Sequence, residues 1–136
     1  MADLVVTPAN VSAYDGADVV HGTPAGEAIT AGQTIYQQSD GKLYKADAST
    51  APKAAAKGIA LNGGAAGQPV SYAKGGGVNP GAVVAIGTAY GVTDTAGGIG
   101  PIGDRGAGDF ITLLGVATTT SRIDVSINKS GVAIPT

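Results

Sequence analysis

Twenty-three glycines are scattered along this 136-residue chain, so regular structure has to be assembled from short pieces. A glycine inside a helix or strand costs roughly 0.5–1 kcal/mol relative to alanine, which discourages long uninterrupted elements. The pieces between glycines and other turn residues are β-branched and apolar: Leu4–Thr7, Gln33–Gln37, Gly58–Leu61, Pro69–Tyr72, Val83–Ile86, Phe110–Val116 and Arg122–Ile127. Arg122-Ile123-Asp124-Val125-Ser126-Ile127 alternates apolar with polar, the period of a half-buried strand. Asp40-Gly41 between Tyr36 and Tyr44 is a hairpin signal, and Lys74-Gly75-Gly76-Gly77 reads as a bulge or loose turn. Short strands at regular intervals predict an all-β chain, a small sandwich or barrel.

Composition decides whether such a chain folds. Leu, Ile, Val and Phe supply 29 of 136 residues, about 21%, just above the roughly 20% below which disorder sets in. A net charge of −2 does nothing to hold the chain open. With five Tyr, one Phe and no Trp, each core position buries little area, so interfaces with other subunits are the natural supplement.

One helix is expected near residues 50–57, where Ser49 and Thr50 offer caps, Pro52 sits early, alanines follow and Gly58 stops the run. An internal repeat is also present. Thr34-Ile35-Tyr36 matches Thr88-Ala89-Tyr90, Gly58-Ile59-Ala60 matches Gly115-Val116-Ala117, and Gly77-Val78 matches Gly131-Val132, at offsets of 54, 57 and 54 residues. Asn79-Pro80 and Ile134-Pro135 close the two copies. The expectation is an arm over residues 1–22, then a single β domain over 23–136 built from two units, about 26–80 and 81–135, packed on each other by their apolar faces.

The chemical inventory is poor. With no cysteine there is no disulfide and no thiolate site. Gly98-Ile99-Gly100-Pro101-Ile102-Gly103 spells a dinucleotide fingerprint, but Pro101 removes an N–H donor, Asp104 adds negative charge, and Gly106 and Gly108 oppose the helix the motif requires, leaving a mobile loop as the reading. His21 is the only imidazole; Asp18 lies nearby in sequence, at a spacing that specifies no catalytic triad. Acidic residues sit in turn contexts such as Asp15-Gly16 and Asp40-Gly41. Asn10-Val11-Ser12 and Asn128-Lys129-Ser130 fit the glycosylation pattern, which carries no weight without a signal peptide, and the chain opens with none. No apolar run approaches the roughly 20 residues of a membrane span, and the scattered cations draw no nucleic-acid footprint. The expectation is a protein with no enzymatic activity, cofactor, metal, small-molecule substrate, membrane or nucleic-acid partner.

Several stretches, taken in order, resemble a family of small phage proteins. They are Gly26-Glu27-Ala28-Ile29-Thr30-Ala31-Gly32-Gln33-Thr34-Ile35-Tyr36, Asp40-Gly41-Lys42-Leu43-Tyr44-Lys45-Ala46-Asp47, Gly58-Ile59-Ala60-Leu61-Asn62, Gly67-Gln68-Pro69-Val70-Ser71 and Gly131-Val132-Ala133-Ile134-Pro135. The family is that of tailed-phage capsid cement, or head decoration, proteins, and the similarity runs from about Asp3 to Pro135. It implies a compact β-tulip-like fold of the lambda-type decoration role and assembly as homotrimers. It also implies binding to the major capsid protein on the outer surface of the expanded head; synthesis in the host cytoplasm is the expectation from the missing signal-peptide pattern and membrane span.

The family supplies no sharp contact motif, so the contact region is read from the residues. Residues 2–22 carry apolar side chains with little to pack against locally. Leu4, Val5, Val6, Pro8, Asn10 and Val11 are the candidate capsid contacts, through an arm that adds a strand to an exposed sheet edge of the capsid protein. The same arm pairing as an edge strand within its own fold is the alternative. Rival functions are another virion β module, such as a head fibre or tail-associated piece, and a carbohydrate-binding β domain, which would want more exposed aromatics than this chain has.

Overall fold

The computed structural model describes residues 3–104 and 108–133. Ile134 and Pro135, expected to close the second repeat, lie outside the described residues, as do Ala2 and Gly106. Among the described residues, ten strands form one antiparallel sheet that curls into a half-barrel. They are β1 (Val11–Ala13), β2 (Asp18–Pro24), β3 (Thr34–Gln37), β4 (Leu43–Lys45), β5 (Gly58–Ala60), β6 (Pro69–Pro80), β7 (Ala89–Val92), β8 (Ile99–Pro101), β9 (Phe110–Thr119) and β10 (Arg122–Ala133). One short helix, α1 (Ala51–Ala54), and two single 3-10 turns, Pro8–Asn10 and Ile102–Asp104, complete the regular structure. The chain is all-β, as its glycine punctuation predicts.

The strand order, β4-β3-β5-β6-β10-β9-β7-β8, reads the same from either end when the second four strands are matched to the first four. The repeated tripeptides fall on matched strands. Thr34–Tyr36 forms most of β3 and Thr88–Tyr90 leads into β7; Gly58–Ala60 is β5 and Gly115–Ala117 lies in β9. Tyr36 and Tyr90 are both buried in the same cluster. The matched glycines do the same work. A Cβ on Gly58 would stand 2.2 Å from the Ala73 carbonyl oxygen of β6, and one on Gly115 would stand 2.1 Å from the Asp124 carbonyl oxygen of β10. Each three-residue motif is therefore pressed against the backbone of its neighbour. The two halves meet through a backbone ladder, Val78↔Ile123 to Gly75↔Ser126, as well as through apolar faces.

β6 is the spine. Along one edge it pairs β5 and then β10, and along the other β2 and then β1. After β2, Ala25 bridges Leu43 of β4, which closes a ring through β2, β6, β5, β3 and β4. Ala25, Ile29, Ile35, Leu43, Val70 and Tyr72 fill that ring. The neighbouring residues Tyr36, Ile59 and Ala73 point the other way, into the main cluster with Val78, Leu114, Ile123 and Val125. β3, β5 and β6 thus form a wall buried on both faces, and their near-continuous apolar character follows from that. Alanines at positions 46, 48, 56, 73 and 117 let the layers approach closely.

Several expectations change on this frame. Of the two readings of Lys74–Gly77, bulge or loose turn, the bulge holds: the segment lies mid-strand in β6, and Lys74 is the extra residue between the pairs Val19↔Ala73 and Asp18↔Gly75. Gly76, just beyond the bulge, has a left-handed φ of +84 and abuts Ala17, whose Cα would lie 2.7 Å from a Cβ there. The fingerprint-like segment is not a loop, because Ile99–Pro101 pairs with β7. Leu4–Thr7 and Val83–Ile86 are not strands. The helix stops at Ala54, short of the expected 57, because residues from Gly58 onward are taken by the ladder. It persists at four residues through ties at both ends: Thr50 Oγ1 accepts the Lys53 N–H (3.4 Å), and the buried Thr112 hydroxyl donates to the Ala54 carbonyl. The hairpin lies where Asp40-Gly41 predicts, with Tyr36 opposite Tyr44.

Candidate functional site: an apolar rim at the arm

The segment after Asp3 runs extended across the body, and successive side chains alternate inward and outward. Leu4 turns in and packs on the main cluster, while its N–H donates to the Ile99 carbonyl (2.7 Å). Val6 turns in over two glycines; its Cγ1 lies 2.5 Å from where a Cβ would stand on Gly32 and 3.1 Å from that on Gly81. Asp3 accepts a hydrogen bond from the buried Thr93 hydroxyl at 2.9 Å. The N–H of Thr7 donates to the Gly81 carbonyl (2.8 Å), which fixes the arm beside the segment 81–87. Val5, between two inward residues, is left 89% exposed.

Beyond the bond from Thr7, three N–H groups within residues 84–87 tie this segment to the body. The Val84 N–H donates to the Thr120 carbonyl (2.9 Å), the Gly87 N–H to the Ala117 carbonyl (2.8 Å), and the Ala85 N–H to the buried Tyr90 hydroxyl (2.9 Å). Val84 is the inward anchor at 2% exposure, so its neighbours face out, Val83 at 82% and Ile86 at 67%. Val5, Thr7, Asn10, Asn79, Val83 and Thr120 line an open groove of about 540 Å³ between arm and loop, and no ionisable side chain lines it. Large apolar residues held in solvent on ordered backbone are the kind of feature that marks a contact surface.

The six candidate contact residues therefore divide. Val5 and Asn10 face the groove; Pro8 opens the 3-10 turn and is exposed; Leu4 and Val6 are spent on holding the arm down. Val11 begins β1 and pairs with Pro80. The expectation that this region has little to pack against does not hold, since residues 11–13 and 18–24 pair along β6 and residues 4–7 are bonded to the body. The β-branched run Val83–Ile86 favours a strand by composition; the signal for a loop is the pair of glycines, Gly81 and Gly87, bounding so short a run.

Elsewhere the polar groups are engaged in holding structure. His21 Nδ1 lies 3.2 Å from Ser71 Oγ on exposed strands, while Asp18 is turned to Lys74 (3.7 Å) and does not stand behind the imidazole. In the hairpin, the Lys42 backbone N–H (2.9 Å) and the Tyr44 hydroxyl (2.8 Å) both donate to Asp40, which holds its carboxyl below the usual carboxylate range. The same bond to Asp40 raises the Tyr44 phenol, and burial raises Tyr72. Among the described residues no group of three or more His, Cys, Asp or Glu is arranged to hold a metal ion, and no helix is long and apolar enough to cross a membrane.

No protein-family model and no curated protein matches this chain.

Proposed function

We propose that this chain is a structural virion protein that binds the outer surface of an expanded tailed-phage capsid as a decoration, or cement, protein. Its partner in this reading is the major capsid protein, its working form a homotrimer, and its place the outside of the head. The family resemblance of the sequence motivates the reading. The observation that carries it is the exposure of Val5 and Val83 on one groove, with Ile86 exposed on the same loop as Val83, where the backbone is hydrogen-bonded in place.

Such a surface suits docking without chemistry. It presents apolar area already ordered, so little conformational entropy is lost when a partner covers it. A trimer bridging neighbouring capsomers would gain further from effective concentration at its second and third contacts, making individually weak docking firm. Residues 11–13 of the arm pair with β6, as in the alternative in which the arm is an edge strand of its own fold.

The test is to mix purified protein with undecorated expanded heads and count the copies bound per shell. A fixed, saturable number is expected. Val83→Asp with Ile86→Asp should lower that number sharply while leaving the thermal midpoint unchanged, because both side chains stand in solvent. Heads that bind no copies would end the reading.

A further inference from the structure

We infer that the edge of β10 beyond Ser126 is a docking site for an extended acidic peptide. Two independent observations meet there, an unpaired strand edge and a set of lysines without counter-ions. The inference stands apart from the particle on which the protein works.

Most edges of this sheet are closed. The Lys45 N–H of β4 donates to Glu27 Oε2 (2.8 Å), and the Gly26 N–H donates to the Leu43 carbonyl of the same strand (2.8 Å). The Ile99 carbonyl of β8 accepts from Leu4. β2 is interrupted by register irregularities and ends in Pro24. These are devices that discourage a foreign strand.

β10 is different. Beyond Ser126 it keeps β9 on one side, with Asn128↔Leu113 and Lys129↔Thr112. On its other side β6 has left it, because β6 turns to pair Ala73 with Ile59 of β5. Among the described residues no strand pairs with that edge. α1 stands across the opening, and between them lies a groove of about 390 Å³ lined by Gln37, Pro52, Ala55, Lys57, Ile127 and Lys129. A second groove of about 480 Å³ continues it over Gln37 and Pro52 to Tyr36 and Lys53.

Charge selects the occupant. Lys53, Lys57 and Lys129 are exposed, and none has a carboxylate within ion-pair distance among the described residues, whereas Lys74 pairs with Asp18 and Arg122 with Asp124. No acidic side chain lines either groove. Asp47, close to Lys53 along the chain, is occupied by the N–H and hydroxyl of Ser49. Three uncompensated cations on a protein of net charge −2 call for an anionic partner. The strand edge further requires that partner to be a backbone able to pair. An added strand projects alternate side chains to one face, so carboxylates two residues apart can be presented to Lys57 and Lys129 in the groove they line. Nucleic acid fits less well, since the lining holds one aromatic, Tyr36, which is buried and offers no stacking platform.

Fluorescence anisotropy with a dye-labelled octapeptide alternating Val and Glu tests this. Binding is expected at low salt and should weaken as salt is raised. The Val-Lys counterpart should not bind. Lys53→Ala, Lys57→Ala and Lys129→Ala together should weaken binding about tenfold, each exposed pair contributing a modest factor, with the thermal midpoint of that variant checked in parallel. A Val-Glu peptide N-methylated at alternate residues, which retains the charge but not the strand pairing, should also lose binding, and it tests the unaltered chain. Absence of Val-Glu binding, equal binding of the Val-Lys or N-methylated peptide, indifference to the lysine substitutions in a folded variant, or tighter binding of oligo-dT would each overturn the inference.

Discussion

Replacing Gly58 by alanine puts a methyl carbon 2.2 Å from the Ala73 carbonyl oxygen and 2.9 Å from Tyr72 Cδ2. Neither obstacle is free to swing away, because the oxygen belongs to the backbone of β6 and the tyrosine is buried in the closed ring. Ordinary contact needs more than 3 Å, so the two strands must part by about 1 Å or more. Parting them disturbs the wall on which both clusters rest. Overpacking of this kind costs typically 1–3 kcal/mol, and a backbone obstacle places it near the top, at about 3 kcal/mol. For a chain of this size that corresponds to a fall of about 10 °C in Tm. Gly115→Ala should cost about the same, since its methyl would stand 2.1 Å from the Asp124 carbonyl oxygen. Gly103 has nothing within 4 Å of its Cβ position and no left-handed φ, so Gly103→Ala is the control and should be within about 0.5 kcal/mol of the parent. Urea and thermal unfolding followed by circular dichroism read all three. Gly58→Ala and Gly115→Ala variants as stable as Gly103→Ala would refute the claim that these strands are held together by the absence of a side chain.

Two further outcomes follow from single hydrogen bonds. Tyr90→Phe removes the acceptor for the Ala85 N–H; it should cost about 1 kcal/mol and speed hydrogen exchange at Ala85, and unchanged protection there would show that the loop is anchored otherwise. Asp40 has its pKa lowered by the Lys42 N–H and the Tyr44 hydroxyl, so its contribution is present above the unfolded value of about 4 and is lost as pH falls through the folded value. Thermal unfolding of the parent and of Asp40→Asn between pH 7 and pH 2.5 should therefore show a gap that closes at the acid end, and a constant gap would contradict the assignment.

What the sequence made legible was local. Asp40-Gly41 carries its own turn geometry, Gly41 at φ +81, and Arg122–Ile127 declares its buried face by alternation, so both could be placed without knowing their neighbours. What was hidden depended on partners distant in the chain. Lys74–Gly77 reads in isolation as either a bulge or a loose turn, and only β2 and β10 flanking it decide for the bulge within a strand. Val83–Ile86 has strand composition, but its Val84 and Ala85 N–H groups are claimed by the Thr120 carbonyl and the Tyr90 hydroxyl, and the run joins no ladder. The arm showed the same difficulty, since the glycine slots that receive Val6 lie at Gly32 and Gly81. Leu4, Val5 and Val6 are adjacent and chemically alike, and only the direction of each side chain separates the inward anchors from the exposed residue between them.

The position of β10 has a consequence for how the molecule forms. It follows the other nine strands in the chain and fills the gap between β6 and β9, so until residues beyond Arg122 have been synthesised both of those strands wait with a naked flank. The ring around Ile35 and Leu43 needs nothing past Pro80 and can assemble while the remainder is still being made. Such late, long-range closure makes for slow maturation and leaves the half-made chain most exposed to mispairing just before its final hairpin zips shut.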